Sequence, residues 1–228
     1  MIRRVLLIAV LAGLAAGMVE TLVQLTRTTP LILSAESYES VGGAVAQAWA
    51  PEAGFERSAY LALASIVTAT GFGMLLSAAF ALHGGPVGLG RGVVWGLAGF
   101  AVFWLAPAIG LPPELPGAKA APLLDRQFWY LGTVLATGIG LAILVFGAGW
   151  LPRIAGAALI AAPHIVGAPH PVAVGGNAPP EMAAMFVVAS LLAAVALWVV
   201  LGGVGGYLYD RFAKVAYSGS GVTTRHTG

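Results

Sequence analysis

From Val5 to Thr26 the chain carries a single charged side chain, Glu20, in 22 residues. A helix of about 20 apolar residues crosses the roughly 30 Å of hydrocarbon in a bilayer. Comparable runs recur at 60–82, 92–109, 128–146, 154–168 and 182–207. Eleven basic and nine acidic side chains could not cover the surface of a water-soluble fold of this size. With 59% hydrophobic and 9% charged residues, the expected class is all-α: a polytopic membrane protein of about six transmembrane helices. The whole of 1–228 reads as one integral membrane domain.

Met1 to Arg4 followed by an apolar run has the outline of a secretory signal. The run continues to Arg27, so it reads as a first span rather than a cleaved leader. Segment 27–57 turns polar, with Glu36, Glu39, Glu52 and Glu56, and reads as an extracytoplasmic loop able to hold an amphipathic helix or lid. The fifth run is short, and prolines at 163, 169 and 171 predict a broken helix there.

Six spans put both termini on one side. That side then holds Arg3, Arg4, Arg91, Arg153, Arg211, Lys214 and Arg225, seven of the eleven basic residues. The other holds Arg27, Arg57, Lys119 and Arg126 against seven acids, Glu36, Glu39, Glu52, Glu56, Glu114, Asp125 and Glu181. The excess of positive charge predicts cytoplasmic termini. Four bases against seven acids leave the outer face negative by three charges, which attracts cations.

Within the first span, Gly13 and Gly17 form a GxxxG pair suited to close helix approach. Glu20 costs roughly 2.5 to 3.5 kcal/mol if ionised at mid-membrane, so it is expected to face protein or a water-filled cavity, as an ion-pathway carboxylate or as a structural partner of Arg27, Gln24 or a hydroxyl. Weak internal similarity links Arg57 to Gly73 with Arg126 to Gly140, each starting at arginine near aromatics and closing on Thr-Gly-x-Gly. The helices that follow end in Ala106-Pro-Ala-Ile-Gly and Ala162-Pro-His-Ile-Val-Gly. A parallel duplication with proline breaks at matching depth would be a pointer to a transporter site.

The candidate chemistry centres on AAPHIVGAPHP, residues 161–171, where His164 and His170 lie six apart. Six helical residues turn about 600°, leaving the two roughly 120° apart on a helix, so only a non-helical connection could bring both to one ion. Imidazole with carboxylate suits divalent cobalt, nickel, zinc or manganese. The metal candidates are therefore His164 and His170 with Glu20, Glu36, Glu39 and Glu181. The competing readings are a helix-end imidazole, a solvated loop residue, or an axial ligand of a haem or chlorin. No Walker lysine motif, HExxH, GxSxG or nucleophile with a nearby base is present, so no enzymatic chemistry is expected. Without cysteine there is no thiolate site, and a net charge of +2 spread along the chain gives no reason to expect nucleic acid.

VLLIAVLAGLAAGMVETLVQLTRTTPLILSAESYE near the start, GLAGFAVFWLAPAIGLPPELPG in the centre and AAPHIVGAPHP followed by APPE resemble the cobalt-transporter subunit family CbtA, from about Val5 to Arg211. The resemblance implies a multi-pass protein of the bacterial inner membrane, acting in cobalt uptake beside a small single-span partner with a histidine-rich end. Family members are often described with five spans, where six are counted here. Loop 28–56 holds no histidine, which departs from the family pattern. The function expected is thus a subunit of a divalent-metal uptake transporter, with cobalt or nickel as cargo and no certain resident cofactor. The alternative is a non-transporting accessory subunit that packs in a larger membrane complex and organises lipid or pigment.

Overall fold

A computed structural model describes residues 2–39, 51–52, 54–171 and 175–220, with side chains to 212. The elements are α1 (Ile2–Arg27), α2 (Thr29–Glu39), α3 (Phe55–His83), α4 (Leu89–Phe100), a π-helical segment (Ala101–Leu105), α5 (Ala106–Gly110), α6 (Leu123–Phe146), α7 (Trp150–Val166) and α8 (Pro180–Ser220). Among the described residues there is no strand, only an isolated bridge between Ala118 and Gly176. The all-α expectation holds. Five helical stretches are long and apolar enough to span: Ile2–Arg27, Phe55–His83, Leu89–Gly110, Leu123–Phe146 and Pro180–Phe212. The sixth apolar helix, α7, has 17 residues and is about 25 Å long, short of the hydrocarbon thickness. It is the short fifth helix the prolines predicted, although it begins at Trp150 and ends two residues earlier than expected.

The polar loop at 27–57 begins as helix. α2 follows α1 after Thr28 alone, whose N–H donates to Gln24 O (3.0 Å) and whose carbonyl accepts from Ile32 N (3.0 Å). Pro30 is tolerated because it falls in the first turn of α2, where its missing N–H would have no intrahelical partner.

The chain forms two compact units. The first comprises Met1–Leu22, Pro51–Leu97 and Val195–Gly228. Its helices are joined by small residues. Added Cβ atoms at Gly13 and Gly17 would fall within 2.5 Å of Thr70 and Ile66, and one at Gly92 would fall 2.2 Å from the Gly202 carbonyl. The GxxxG of α1 is therefore a packing face, against α3. At one end of this unit Phe80 stacks edge-on against Trp95 and Tyr209, His83 against Trp95, and the Arg4 guanidinium lies 5.1 Å over the Tyr209 ring. The start of α1, the end of α3, the start of α4 and the late part of α8 thus share that end, as alternating spans require.

The second unit comprises Val23–Ala50 and Ala98–Ala194. α6 and α7 pack through Gly140 and Gly156, where either added Cβ would come within 2.7 Å of the other glycine's carbonyl. The non-helical connection from Leu111 to Pro122 is anchored by Leu115, buried with Ala35 of α2 and Phe186 of α8. It is held further by Lys119 N donating to Gly175 O at 3.0 Å.

Candidate functional site

Proline organises the site within the second unit. The span expected at 92–109 runs through Pro107 to Gly110 and stops at Leu111, before Pro112 and Pro113. The reason lies in the preceding turn. Residues 101–105 are π-helical, and Ala106 N bonds to Ala101 O, five residues back. In α-helical register Pro107 would serve the carbonyl of Phe103, and it has no N–H to do so. The Tyr130 hydroxyl of α6 donates to that carbonyl instead, at 3.1 Å.

The neighbouring residue braces the last turn of the other proline-containing helix. Trp129 Nε1 donates to Pro163 O of α7 at 3.2 Å, and Gly167 N donates to the same oxygen at 3.0 Å. Gly167 then leaves the helix at φ 87°, a region that glycine enters without strain. A Cβ on Gly110 would lie 2.4 Å from the Trp129 ring and 2.9 Å from Ala168 Cβ, so the end of α5 and the exit from α7 both close on Trp129. The two proline-broken helix ends picked out in sequence are thereby brought to one level of α6.

His164 sits in the last turn of α7, half-buried, with its ring 5.9 Å from that of Trp129 and edge-on to it at 70°. His170 is exposed in the non-helical stretch after Gly167. Glu36 is half-buried in α2 and Glu181 is exposed in the first turn of α8. Glu39 closes α2, with its surroundings outside the described residues. Glu20 belongs to the first unit, where it is buried in α1 at 7% exposure. Among the described residues no three His, Cys, Asp or Glu side chains cluster in a way that could hold a metal ion. Trp129 and Tyr130, which hold the proline ends, carry no metal-ligand signature. The signal that could have marked them is two adjacent hydrogen-bonding aromatics in the first turns of a span that neighbours two proline-broken helices.

Beside Tyr130 lies a cleft of about 210 Å³, walled by Phe103, Trp104, Pro107, Ala108, Leu111, Pro112 and Pro113, with Glu114 and Arg126 among its lining residues. Arg126 Nη2 and Glu114 Oε2 are 3.0 Å apart, with side chains 30% and 32% exposed. This pair ties the connection after α5 to the first turn of α6.

Apolar helices of spanning length define an all-α polytopic membrane protein. The family model described as "Probable cobalt transporter subunit (CbtA)" matches residues 2–210, and the chain belongs to that family. No curated protein and no solved structure matches it.

Proposed function

We propose that this subunit carries divalent cobalt inward across the bacterial inner membrane, with His164 and His170 as the first protein ligands on the path. The observation that supports this reading is the convergence of the two proline-broken helix ends on Trp129, which bears on His164 edge-on. Interrupted helices place backbone carbonyls and helix-end side chains where a cation can exchange water for protein ligands. The imidazole of His164 is positioned by Trp129. That of His170 lies on the outgoing connection, free to follow a bound ion.

The charge asymmetry supports an inward path. With the Arg4 and Arg91 end in the cytoplasm by the positive-inside rule, the Glu36, Glu114 and Glu181 segments lie outside and concentrate cations there. Glu36, Glu39 and Glu181 are candidate carboxylate ligands at entry, and Glu20, buried in the first unit, is a further candidate carboxylate. A small single-span partner rich in histidine would complete the shell and raise affinity. This chain has no nucleotide-binding motif, so flux is driven by the membrane potential, a gradient or a partner, and the subunit acts as a carrier, without catalysis. The 1–228 chain functions as one membrane domain.

Isothermal titration of cobalt into the purified chain tests this, comparing native protein with the His164→Ala, His170→Ala double variant. Binding that the double variant lacks supports the reading. Equal binding by both removes the histidines from the path.

A further inference from the structure

The cleft beside Tyr130 has a composition that cobalt carriage does not require. Its walls are aromatic and proline-rich, and one acid and one base stand side by side among the residues that line it. Each of the two is about one third exposed, and a solvated ion pair of this kind adds little to stability. A guanidinium has five donors and a carboxylate about four acceptor positions, so their mutual contact leaves both with capacity for a ligand. Phe103, Trp104 and Tyr130 add ring faces that attract an ammonium group. The Tyr130 hydroxyl is committed to the Phe103 carbonyl, which fixes that wall in place. The connection that carries Glu114 is held as well, because the next residue, Leu115, is buried in its own cluster.

Location narrows the ligand. Glu114 stands on the non-helical connection, and Arg126 lies in the first turn of a candidate span, which is headgroup depth for a helix end. The flanking surface is strongly apolar and exposed: Ile109 69%, Leu123 65%, Leu124 65% and Phe128 73%. A volume of about 210 Å³ is smaller than the roughly 300 Å³ at which drug-sized pockets begin, and suits a small polar group with its tail outside.

We propose that this cleft binds the headgroup of a zwitterionic, primary-amine phospholipid of the phosphatidylethanolamine type. Arg126 takes the phosphate, for which its planar fork is suited. Glu114 accepts from the ammonium against the aromatic walls, and the acyl chains lie along the exposed leucine and phenylalanine flank. The site is separate from the proposed histidine path and stands whether or not cobalt binds.

Native mass spectrometry of the full chain in detergent tests it, with equimolar phosphatidylethanolamine and phosphatidylglycerol of identical acyl chains as probes. Both carry the phosphate, and only the first carries the ammonium. Preferential retention of phosphatidylethanolamine by about tenfold is expected, the scale of one hydrogen bond to a charged group. Glu114→Gln should abolish the preference while leaving lipid bound, and Arg126→Gln should reduce retention of both lipids. Equal retention by the native chain, or a preference that survives both substitutions, overturns the proposal. So does binding of soluble phosphoethanolamine by a native chain that shows no preference between the lipids, since the cleft would then take a free solute. The native comparison involves no substitution and decides the matter even if a variant fails to fold.

Discussion

Tyr130 donates its hydroxyl proton to the carbonyl of Phe103, the oxygen that Pro107, lacking an N–H, cannot serve in α-helical register. Removing that proton donor exposes the proline's cost. Tyr130→Phe is expected to lower stability by about 0.5 to 1.5 kcal/mol, the net contribution of one hydrogen bond, read as a lower midpoint of thermal unfolding in detergent. In a Pro107→Ala background the helix regains its own donor, and the same substitution should do much less. Equal losses in both backgrounds would show that the hydroxyl does not serve the freed carbonyl.

Gly110 sets how closely the α5 end approaches α6. Its missing Cβ leaves room for the Trp129 ring, 2.4 Å from where that atom would be. Gly110→Ala should therefore destabilise by about 1 to 3 kcal/mol as an overpacked contact. Gly71, around which an added Cβ meets nothing within 4 Å, is the control. Alanine there should be neutral or stabilising by the same unfolding measurement.

Trp129 bears on His164 both through the ring contact and through its bond to the carbonyl of the preceding residue. If His164 is a ligand, Trp129→Phe, which keeps a ring and loses the donor, should weaken cobalt affinity by about tenfold, the low end for groups that orient a ligand. Trp129→Ala should weaken it further. Titration of both variants checks the order, and unchanged affinity in Trp129→Ala would separate the tryptophan from the metal.

Glu20→Gln keeps the shape of a buried side chain in α1 and removes its charge. As a path carboxylate its loss should cut cellular uptake of radioactive cobalt by about tenfold or more, with the unfolding midpoint within a few degrees of the native chain. Native uptake with a lowered midpoint would make Glu20 structural.

The apolar runs determined that the chain is a bundle of membrane helices, because a segment with one charge in 22 residues has no other stable home. A helix occupies each of those runs in the structure, although α8 continues to Ser220, well past the expected end at 207. Gly13 and Gly17 announced a packing face, and the prolines at 107 and 163 fall in last turns of helix that end at Gly110 and Val166. Sequence could not say what the prolines are for, because a proline's consequence depends on who satisfies the carbonyl it frees. That partner lies 27 residues away for Phe103. The carbonyl of Pro163 itself, already served by Gly167 N, gains a second donor 34 residues away. Hydropathy is a property of neighbours along the chain, whereas a hydrogen bond between helices depends on rotation and depth, which only packing fixes. So Trp129 and Tyr130, ordinary interfacial aromatics in sequence, became the holders of both broken ends, and Glu114 and Arg126 became facing members of one cleft.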